Sequence, residues 1–159
     1  TSGTVGLGLF GPKARQLAQS ICEDDLSNES LGYFKAKKTF LGQVPVTLWR
    51  LSYVGELGWE IYIPRKDNAE PLKVWQLIFD SGAPLGLLPC GYRAIESLRL
   101  EKGYRAWGTE ISTERNPLEA GLSFAVSMKK ERFLGRDAIA KLHDSGAPAK
   151  RLKIGRAHV

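Results

Sequence analysis

The sequence predicts an α+β fold, in which helices cover one face of a sheet. Three observations support this class. Segments of strand character alternate with segments of helical period, two strand-like segments meet at the tight turn Gly42-Gln43, and the chain contains no internal repeat or low-complexity stretch. The alternation and the hairpin favour helices packed on a sheet over an all-helical or all-strand protein.

Four strands and one helix are predicted in the first half of the chain. Thr4–Phe10 alternates glycine with apolar residues, as a strand does, and Gly11-Pro12 ends it. Because proline suits the first turn of a helix, Lys13–Cys22 is predicted to be helical. The other strands are rich in aromatic and β-branched residues. They are Tyr33–Leu41, Val44–Tyr53 and Trp59–Pro64.

The second half is predicted to contain three helices and two short strands. Ala69–Ser81 carries apolar residues at helical spacing, and Gly82-Ala83-Pro84 stops that helix. The remaining elements are, in chain order, the helix Gly91–Lys102, the strand Leu122–Val126, the helix Gly135–His143 and the strand Arg151–Lys153.

The charge balance favours an acidic ligand over a nucleic acid. The chain has 23 Lys+Arg against 17 Asp+Glu, a net charge of +6. Such an excess attracts anions, although solubility is the better explanation for most of these charges. The basic residues are scattered, so no nucleic-acid-binding patch is predicted. The densest run, Lys35–Lys38, is predicted to lie at a sheet edge, where lysines discourage unwanted pairing.

The cysteines and histidines predict no metal site. Cys22 and Cys90 lack metal-ligand spacing, and His143 and His158 lie near the end of the chain. This usage fits a reducing compartment, the cytosol or the mitochondrial matrix. No apolar run has membrane-spanning length and no signal peptide is visible, so no membrane partner is predicted.

Four motifs occur in a fixed order along the chain. They are SYVGELGWE at Ser52–Glu60, SLRLE at Ser97–Glu101, NPLEAGL at Asn116–Leu122 and FLGRDAI at Phe133–Ile139. With the segment Leu9–Leu17, LFGPKARQL, they resemble the folate-binding aminomethyltransferase family. That family includes the glycine cleavage T-protein and the C-terminal half of dimethylglycine and sarcosine dehydrogenases. The wording SYVGELGW and LRLEKGYRAWG is closer to the dehydrogenase branch.

The resemblance implies how the chain is organised. Residues 1–128 are expected to form part of a ferredoxin-like folate-binding domain that is truncated at its N-terminus. Residues 129–153 would begin the C-terminal β-barrel subdomain, which is also truncated. Ile154–Val159 resembles what a sequencing adapter would encode and is excluded from the fold.

The resemblance also assigns a pterin-binding carboxylate. A pterin presents adjacent N–H donors, and a carboxylate accepts two of them at once. Glu60 matches the family's pterin-binding glutamate and Tyr53 its folate-contacting tyrosine, while Ile61 and Tyr62 are expected to line the same wall. Without the resemblance, Glu60 would be interpreted as a surface carboxylate at a strand end and Tyr53 as a half-buried strand residue.

Two further folate contacts are implied less directly. Phe124 stands where the dehydrogenase branch has a folate-contacting tyrosine, or else it is a core residue of a buried strand. The T-protein branch carries an arginine for the acidic tail at the position of Ile95, so either the nearby Arg93 substitutes or the tail is held differently. Arg99 is predicted to be structural, with Glu101 as its ion-pair partner.

No catalytic residue is predicted. The family's general base is an aspartate upstream of every residue present here, and Asp24 and Asp25 are interpreted as loop residues. The three glycines of Gly6–Gly11 precede a proline and resemble the family's GPKA start, so no flavin or nicotinamide site is predicted in the chain. Trp107 is expected to be a core tryptophan or part of the pocket wall.

The resemblance implies one-carbon transfer to tetrahydrofolate. An upstream FAD domain would oxidise an N-methylated glycine, and this chain would hold the tetrahydrofolate that captures the one-carbon unit as 5,10-methylenetetrahydrofolate. The alternative is a fragment of the T-protein, which receives its one-carbon unit from an aminomethyl carrier. A third hypothesis is a non-enzymatic folate-binding accessory protein, but such relatives carry a cysteine that SYVGELGWE lacks.

Overall fold

The computed structural model describes residues 3–146, and it confirms the predicted α+β class. The chain divides into two compact units, Thr1–Leu98 and Arg99–Val159, and each is described by itself. The first unit holds an antiparallel sheet with helices. Its main elements are β1 Thr4–Phe10, α1 Ala14–Ser20, β2 Ala36–Leu41, β3 Val44–Trp49, β4 Gly58–Pro64 and α2 Ala69–Gly82.

All four strands lie in one sheet, in the order β1-β4-β3-β2, and every neighbouring pair is antiparallel. Strands β2, β3 and β4 follow one another as a meander, and β1 pairs with the free side of β4 from Thr4↔Pro64 to Phe10↔Gly58. Strand β2 is an edge strand, as the lysine run predicted, and Lys37 there forms an ion pair with Asp24 at 2.9 Å.

Alternation along the strands separates a buried face of the sheet from an exposed one. In β4, Trp59, Ile61 and Ile63 are each at most 1% exposed and belong to the core. Helices α1 and α2 pack against this face and bury residues such as Leu17 and Val74. Each fully buried aliphatic side chain contributes about 1.5–3 kcal/mol. The other face, which carries Glu60 and Tyr62, is not covered by α1 or α2.

Two strands are shorter than predicted. β3 ends at Trp49 instead of Tyr53, since the chain leaves the sheet over residues 50–57 and Gly55 turns it with φ 77°. β2 begins at Ala36 instead of Tyr33, because Phe34 has φ 62°, which interrupts an extended strand. The predicted helix Lys13–Cys22 forms over Ala14–Ser20.

The boundary between the units falls inside α3, Tyr92–Lys102, which forms as predicted apart from its first residue. The second unit also contains a 3₁₀ turn, Ser123–Ala125, and α4, Arg136–Asp144. The boundary expected between residues 128 and 129 stays a prediction. The predicted strand Arg151–Lys153 and the segment Ile154–Val159 lie outside the described residues.

The predicted strand Leu122–Val126 is wrong. Asn116 accepts hydrogen bonds from the backbone N–H groups of Leu118 and Glu119, each at 3.0 Å, and winds the preceding segment into turns. The N–H of Leu122 then donates to the carbonyl of Pro117 at 2.7 Å. Between residues 99 and 146 the structure has no strand with which this segment could pair. Its strand-favouring composition alone is therefore not enough to form a strand.

Candidate functional site

Glu60 and Tyr62 are neighbours on the exposed face of β4, because side chains two residues apart in a strand point the same way. The phenol of Tyr62 donates a hydrogen bond to Oε2 of Glu60 at 2.5 Å. This bond, with some burial, raises the pKa of Tyr62, since ionisation would remove the donor and set two negative charges side by side. The hydrogen bond therefore holds the Glu60 carboxylate in place through Oε2.

Trp49 flanks Glu60 on one side, where the two residues pair directly across β3 and β4. Its ring centroid is 5.9 Å from that of Tyr62, and the ring is 46% exposed. Trp49 lies outside the motifs from which the site was predicted. A signal was present, because Val44, Val46 and Leu48 alternate as the buried side of β3 and so place Trp49 on the solvent side.

Glycines of β1 flank Glu60 and Tyr62 on the other side. Gly8 pairs with Glu60 and Gly6 pairs with Tyr62. The Phe10 ring occupies the space that a side chain at Gly8 would take, since a Cβ there would lie 2.5 Å from Phe10 Cε2. A Cβ at Gly6 would meet nothing closer than Tyr62 Cε1 at 3.9 Å. The surface beside Glu60 is thus aromatic, and beside Tyr62 it is bare backbone.

These glycines do not form a nucleotide-binding loop, although Gly6, Gly8 and Gly11 have the spacing G-x-G-x-x-G. A dinucleotide-binding loop lies in the turn between a parallel strand and a helix. Gly6 and Gly8 instead lie inside β1 and are paired with β4. Gly8 makes room for the Phe10 ring, and Gly6 leaves the backbone bare beside Tyr62.

The expectation that Ile61 and Tyr62 line one wall is wrong for Ile61. Its side chain is 1% exposed and packs in the core, on the opposite face of the sheet from Tyr62. Adjacent residues of a strand point to opposite faces, so the two cannot share a surface. The structure brings Glu60 and Tyr62 together and separates Ile61 from both.

Tyr53 and Glu56 lie in the loop between β3 and β4. The Tyr53 ring is 38% exposed, and Glu56 is exposed. At the end of this loop Gly58 lies against β1, and a Cβ there would collide with the backbone carbonyl oxygen of Leu9 and with Phe10. The backbones of β1 and β4 therefore approach each other closely at this glycine, just before Glu60.

The remaining predicted folate contacts lie elsewhere. Arg93 is exposed in the first turn of α3, and Ile95 is partly exposed on the same helix. Phe124 belongs to the second unit, lies in the 3₁₀ turn and is 84% exposed, so it is not a core residue of a buried strand. Trp107, in the same unit, is 72% exposed and is not a core tryptophan either.

Arg99 is structural, as predicted, but its partner is not Glu101. Its Nη1 donates to the carbonyl of Tyr104 at 2.9 Å and to Oε2 of Glu110 at 2.7 Å. Glu110 also accepts the backbone N–H of Ala106 at 2.8 Å. Burial alone would raise the pKa of Glu110, but these donors outweigh it and leave that pKa below its usual range.

Asp24 and Asp25 stabilise the loop between α1 and β2. Asp24 accepts a hydrogen bond from the Thr39 hydroxyl and pairs with Lys37, and Asp25 accepts the backbone N–H and the hydroxyl of Ser27, each at 2.8 Å. Within residues 3–146 no group of three His, Cys, Asp or Glu side chains is arranged to hold a metal ion. No helix in that range is long and apolar enough to cross a membrane.

Comparison with known proteins assigns the family. The model of the GCVT N-terminal domain matches residues 1–130. The chain belongs to this family. The predicted resemblance to the folate-binding aminomethyltransferases is thereby confirmed.

Relatives of this GCVT domain include dehydrogenases and aminomethyltransferases. Mouse mitochondrial dimethylglycine dehydrogenase is 39% identical over 141 residues, and mouse mitochondrial sarcosine dehydrogenase is 41% identical over 141 residues. These matches cover 88% of this chain but only 16% and 15% of the relatives. An aminomethyltransferase from Caldanaerobacter subterraneus subsp. tengcongensis is 38% identical over 144 residues, covering 91% of this chain and 37% of the relative.

Proposed function

We propose that this chain binds tetrahydrofolate and positions it to accept a one-carbon unit, within a larger FAD-dependent oxidoreductase that acts on an N-methylated glycine. The acceptor would leave as 5,10-methylenetetrahydrofolate. The two mouse dehydrogenases support this placement because they act on dimethylglycine and sarcosine by name, and their matching segments are a small part of each protein.

One observation carries the binding proposal. Glu60 is the final residue of SYVGELGWE, and it presents a carboxylate on the exposed face of the sheet with one oxygen already held by Tyr62 at 2.5 Å. A carboxylate fixed in this way can accept adjacent N–H donors from the edge of a planar ring with little loss of side-chain entropy. The pterin ring of a folate has such an edge.

Tetrahydrofolate, when bound, supplies the nitrogens that take up the one-carbon unit. The contribution of this chain is to bind and orient it, which raises its effective concentration near the donor. Tyr53, Arg93 and Phe124 remain proposed contacts to the rest of the folate. FAD would be held outside these residues, and no residue of this chain is assigned as the general base.

A free-standing aminomethyltransferase is the second candidate. It is favoured by the match to the Caldanaerobacter enzyme, which covers 91% of this chain and a larger share of the relative than the dehydrogenase matches do. In that case the donor would be an aminomethyl group on a carrier. The folate site at Glu60 would be the same.

The binding proposal is tested by Glu60→Gln in the intact protein. Loss of the charged acceptor should weaken tetrahydrofolate binding by about 1.5–3 kcal/mol, measured by anaerobic calorimetry. Glu56→Gln is the matched control, because Glu56 is exposed in the loop before the same strand and should not change the affinity. Equal affinities for the wild type and Glu60→Gln would remove Glu60 from the site, and a wild type that does not bind would refute the function.

The upstream reading frame in the source DNA separates the two candidates. A long frame that encodes a strand, a G-x-G-x-x-G turn and a helix would support the dehydrogenase. A short frame with a nearby initiator Met would support the aminomethyltransferase and contradict the first placement.

A further inference from the structure

Two arginines lie against one tryptophan at the start of β4, and we call Arg15 and Arg50 the arginine pair. Cζ of Arg15 is 5.9 Å from the ring centroid of Trp59, and Cζ of Arg50 is 5.1 Å from it. Trp59 is 1% exposed and points to the buried face of the sheet, whereas Glu60 points to the other face. The arginine pair is therefore separate from the surface around Glu60.

The guanidinium groups of the pair have no anionic partner in the part of the chain that the structure describes. Nη2 of Arg15 donates to Oδ1 of Asn28 at 2.6 Å, and Nη1 of Arg50 donates to the backbone carbonyl of Gly58 at 3.4 Å. Both acceptors are neutral. Neither arginine forms an ion pair with a carboxylate among residues 3–146. Two positive charges thus lie close together without a negative charge bound to them.

The charge of Arg15 reaches one carboxylate, that of Asp25, without pairing with it. Hydrogen bonds from the backbone and the hydroxyl of Ser27 are the main causes that lower the pKa of Asp25, and the charges of Lys37 and Arg15 make smaller contributions. The Asp25 oxygens accept these two hydrogen bonds from Ser27, each at 2.8 Å. Asp25 is therefore occupied within its own turn and does not neutralise the arginine pair.

Three side-chain donors of this cluster are buried without an acceptor. They are Nε of Arg15, Nε of Arg50 and Nε1 of Trp59, three of the four such atoms in the described part of the chain. Buried donors are normally paired, so this concentration at one place indicates a site that is completed by an acceptor. Burial first and the charge of Arg15 second lower the pKa of Arg50, as expected for a cation that lacks a nearby anion.

The backbone of Arg50 is fixed by the turn that precedes β2. Its N–H donates to the carbonyl of Lys35 at 2.8 Å, and its carbonyl accepts the N–H of Phe34 at 2.9 Å. Phe34 is 74% exposed and has φ 62°, a conformation that bulky residues rarely adopt. Strained backbone of this kind is concentrated at ligand-binding sites, where the surrounding structure holds it. Arg50 is thus presented from a defined position next to a strained, exposed turn.

We propose that the arginine pair is an oxyanion-binding site, which takes a ligand with two negative charges, such as phosphate or a dicarboxylate. A guanidinium presents planar N–H donors that match two oxygens of a carboxylate or a phosphate. Nε and Nη2 of Arg50 form one edge of its guanidinium and make no hydrogen bond within residues 3–146. Both arginines are partly exposed, so an anion in solution reaches their outer nitrogens. The site does not depend on the proposed folate function, because it lies at the other face of the sheet.

The test titrates the intact protein with inorganic phosphate and, separately, with glutarate, at an ionic strength that NaCl keeps constant. Binding is measured by calorimetry and by Tm, which a ligand of the folded state raises. Arg15→Gln and Arg50→Gln should each weaken binding about tenfold or more, since each removes charged hydrogen-bond donors. Arg50→Lys should also weaken it, because lysine keeps the charge but loses the planar fork. Arg65→Gln is the matched control, since Arg65 is exposed directly after β4 and should leave the affinity unchanged.

The outcomes decide between a specific site and general electrostatic screening. Saturable binding of phosphate, glutarate or both, weakened in the variants of the pair and kept in Arg65→Gln, supports the site, and the tighter anion identifies the class of ligand. A Tm shift that NaCl alone reproduces would be screening of the net positive charge and would overturn the site. Equal affinities for the wild type and the folded variants of the pair would overturn it too, as would a Kd above about 10 mM for both anions. None of these results bears on tetrahydrofolate binding, which Glu60→Gln tests.

Discussion

Replacing Glu110 by alanine should destabilise the second unit strongly, although Glu110 is only one of the many acidic residues of the chain. Its carboxylate faces Arg99, whose side chain is 1% exposed, while that of Glu110 is 16% exposed. It also accepts the backbone N–H of Ala106. The substitution therefore removes a charge from beside a buried guanidinium and an acceptor from a backbone donor.

The magnitude follows from these two contacts. A hydrogen bond to a charged group contributes about 1.5–3 kcal/mol and an ordinary one about 1 kcal/mol. Loss of one partner of a buried ion pair costs about 3–5 kcal/mol. Because Glu110 is partly solvated, we expect the lower end, about 3 kcal/mol. Glu101→Ala is the control, since Glu101 is exposed on α3, and it should cost less than about 0.5 kcal/mol.

Urea unfolding followed by circular dichroism measures the free energy of unfolding of each variant. Amide hydrogen exchange of residues 99–111 in the intact protein shows whether the loss of stability is in this segment. The pH dependence gives a second test. The pKa of Glu110 is lower in the folded protein than its usual value of 4.5, so its contribution is present above that value and is lost as the pH falls through the folded pKa. The deficit of Glu110→Ala should shrink on acidification. Equal stability of Glu101→Ala and Glu110→Ala at neutral pH would refute the reasoning.

Two further predictions concern the first unit. Gly58→Ala should lower the free energy of unfolding in urea by about 2–3 kcal/mol, because the new Cβ collides with the Leu9 carbonyl and the collision cannot be relieved without moving β1. Gly6→Ala is the control, since its Cβ would meet nothing closer than Tyr62 Cε1 at 3.9 Å, and it should change that free energy by less than about 0.5 kcal/mol. Similar losses for the two variants would contradict the packing. Hydrogen bonds from Thr39 and Lys37 lower the pKa of Asp24 in the folded protein below its usual value of 3.8. Asp24→Asn should therefore have a lower Tm than the wild type above pH 3.8. The difference in Tm should disappear as the pH falls through the folded pKa, because Asp24 is then protonated in the wild type. A Tm difference that persists unchanged in strong acid would exclude Asp24 as its source.

Local patterns predicted most of the secondary structure, because they depend on residues close in sequence. The glycine-apolar alternation predicted β1, the hairpin at Gly42-Gln43 predicted β2 and β3, and the helical spacing after Ala69 predicted α2. The failure at Leu122–Val126 has a physical reason. A strand is stable only when it pairs with another strand, and this segment has no such partner between residues 99 and 146. The hydrogen bonds that Asn116 accepts therefore decided its conformation, which is a series of turns.

In the candidate site, too, local sequence predicted some features and tertiary structure decided the others. The wording SYVGELGWE was enough to select Glu60, and the period of a strand already implies that Tyr62 shares its face and Ile61 does not. Tertiary structure alone decided that Gly8 and Trp49 flank Glu60, because sheet order and register join residues far apart in sequence. The same holds for Arg99, whose partner is Glu110 and not the nearby Glu101. Local sequence determines which way a side chain points, but its neighbours depend on how distant segments pack.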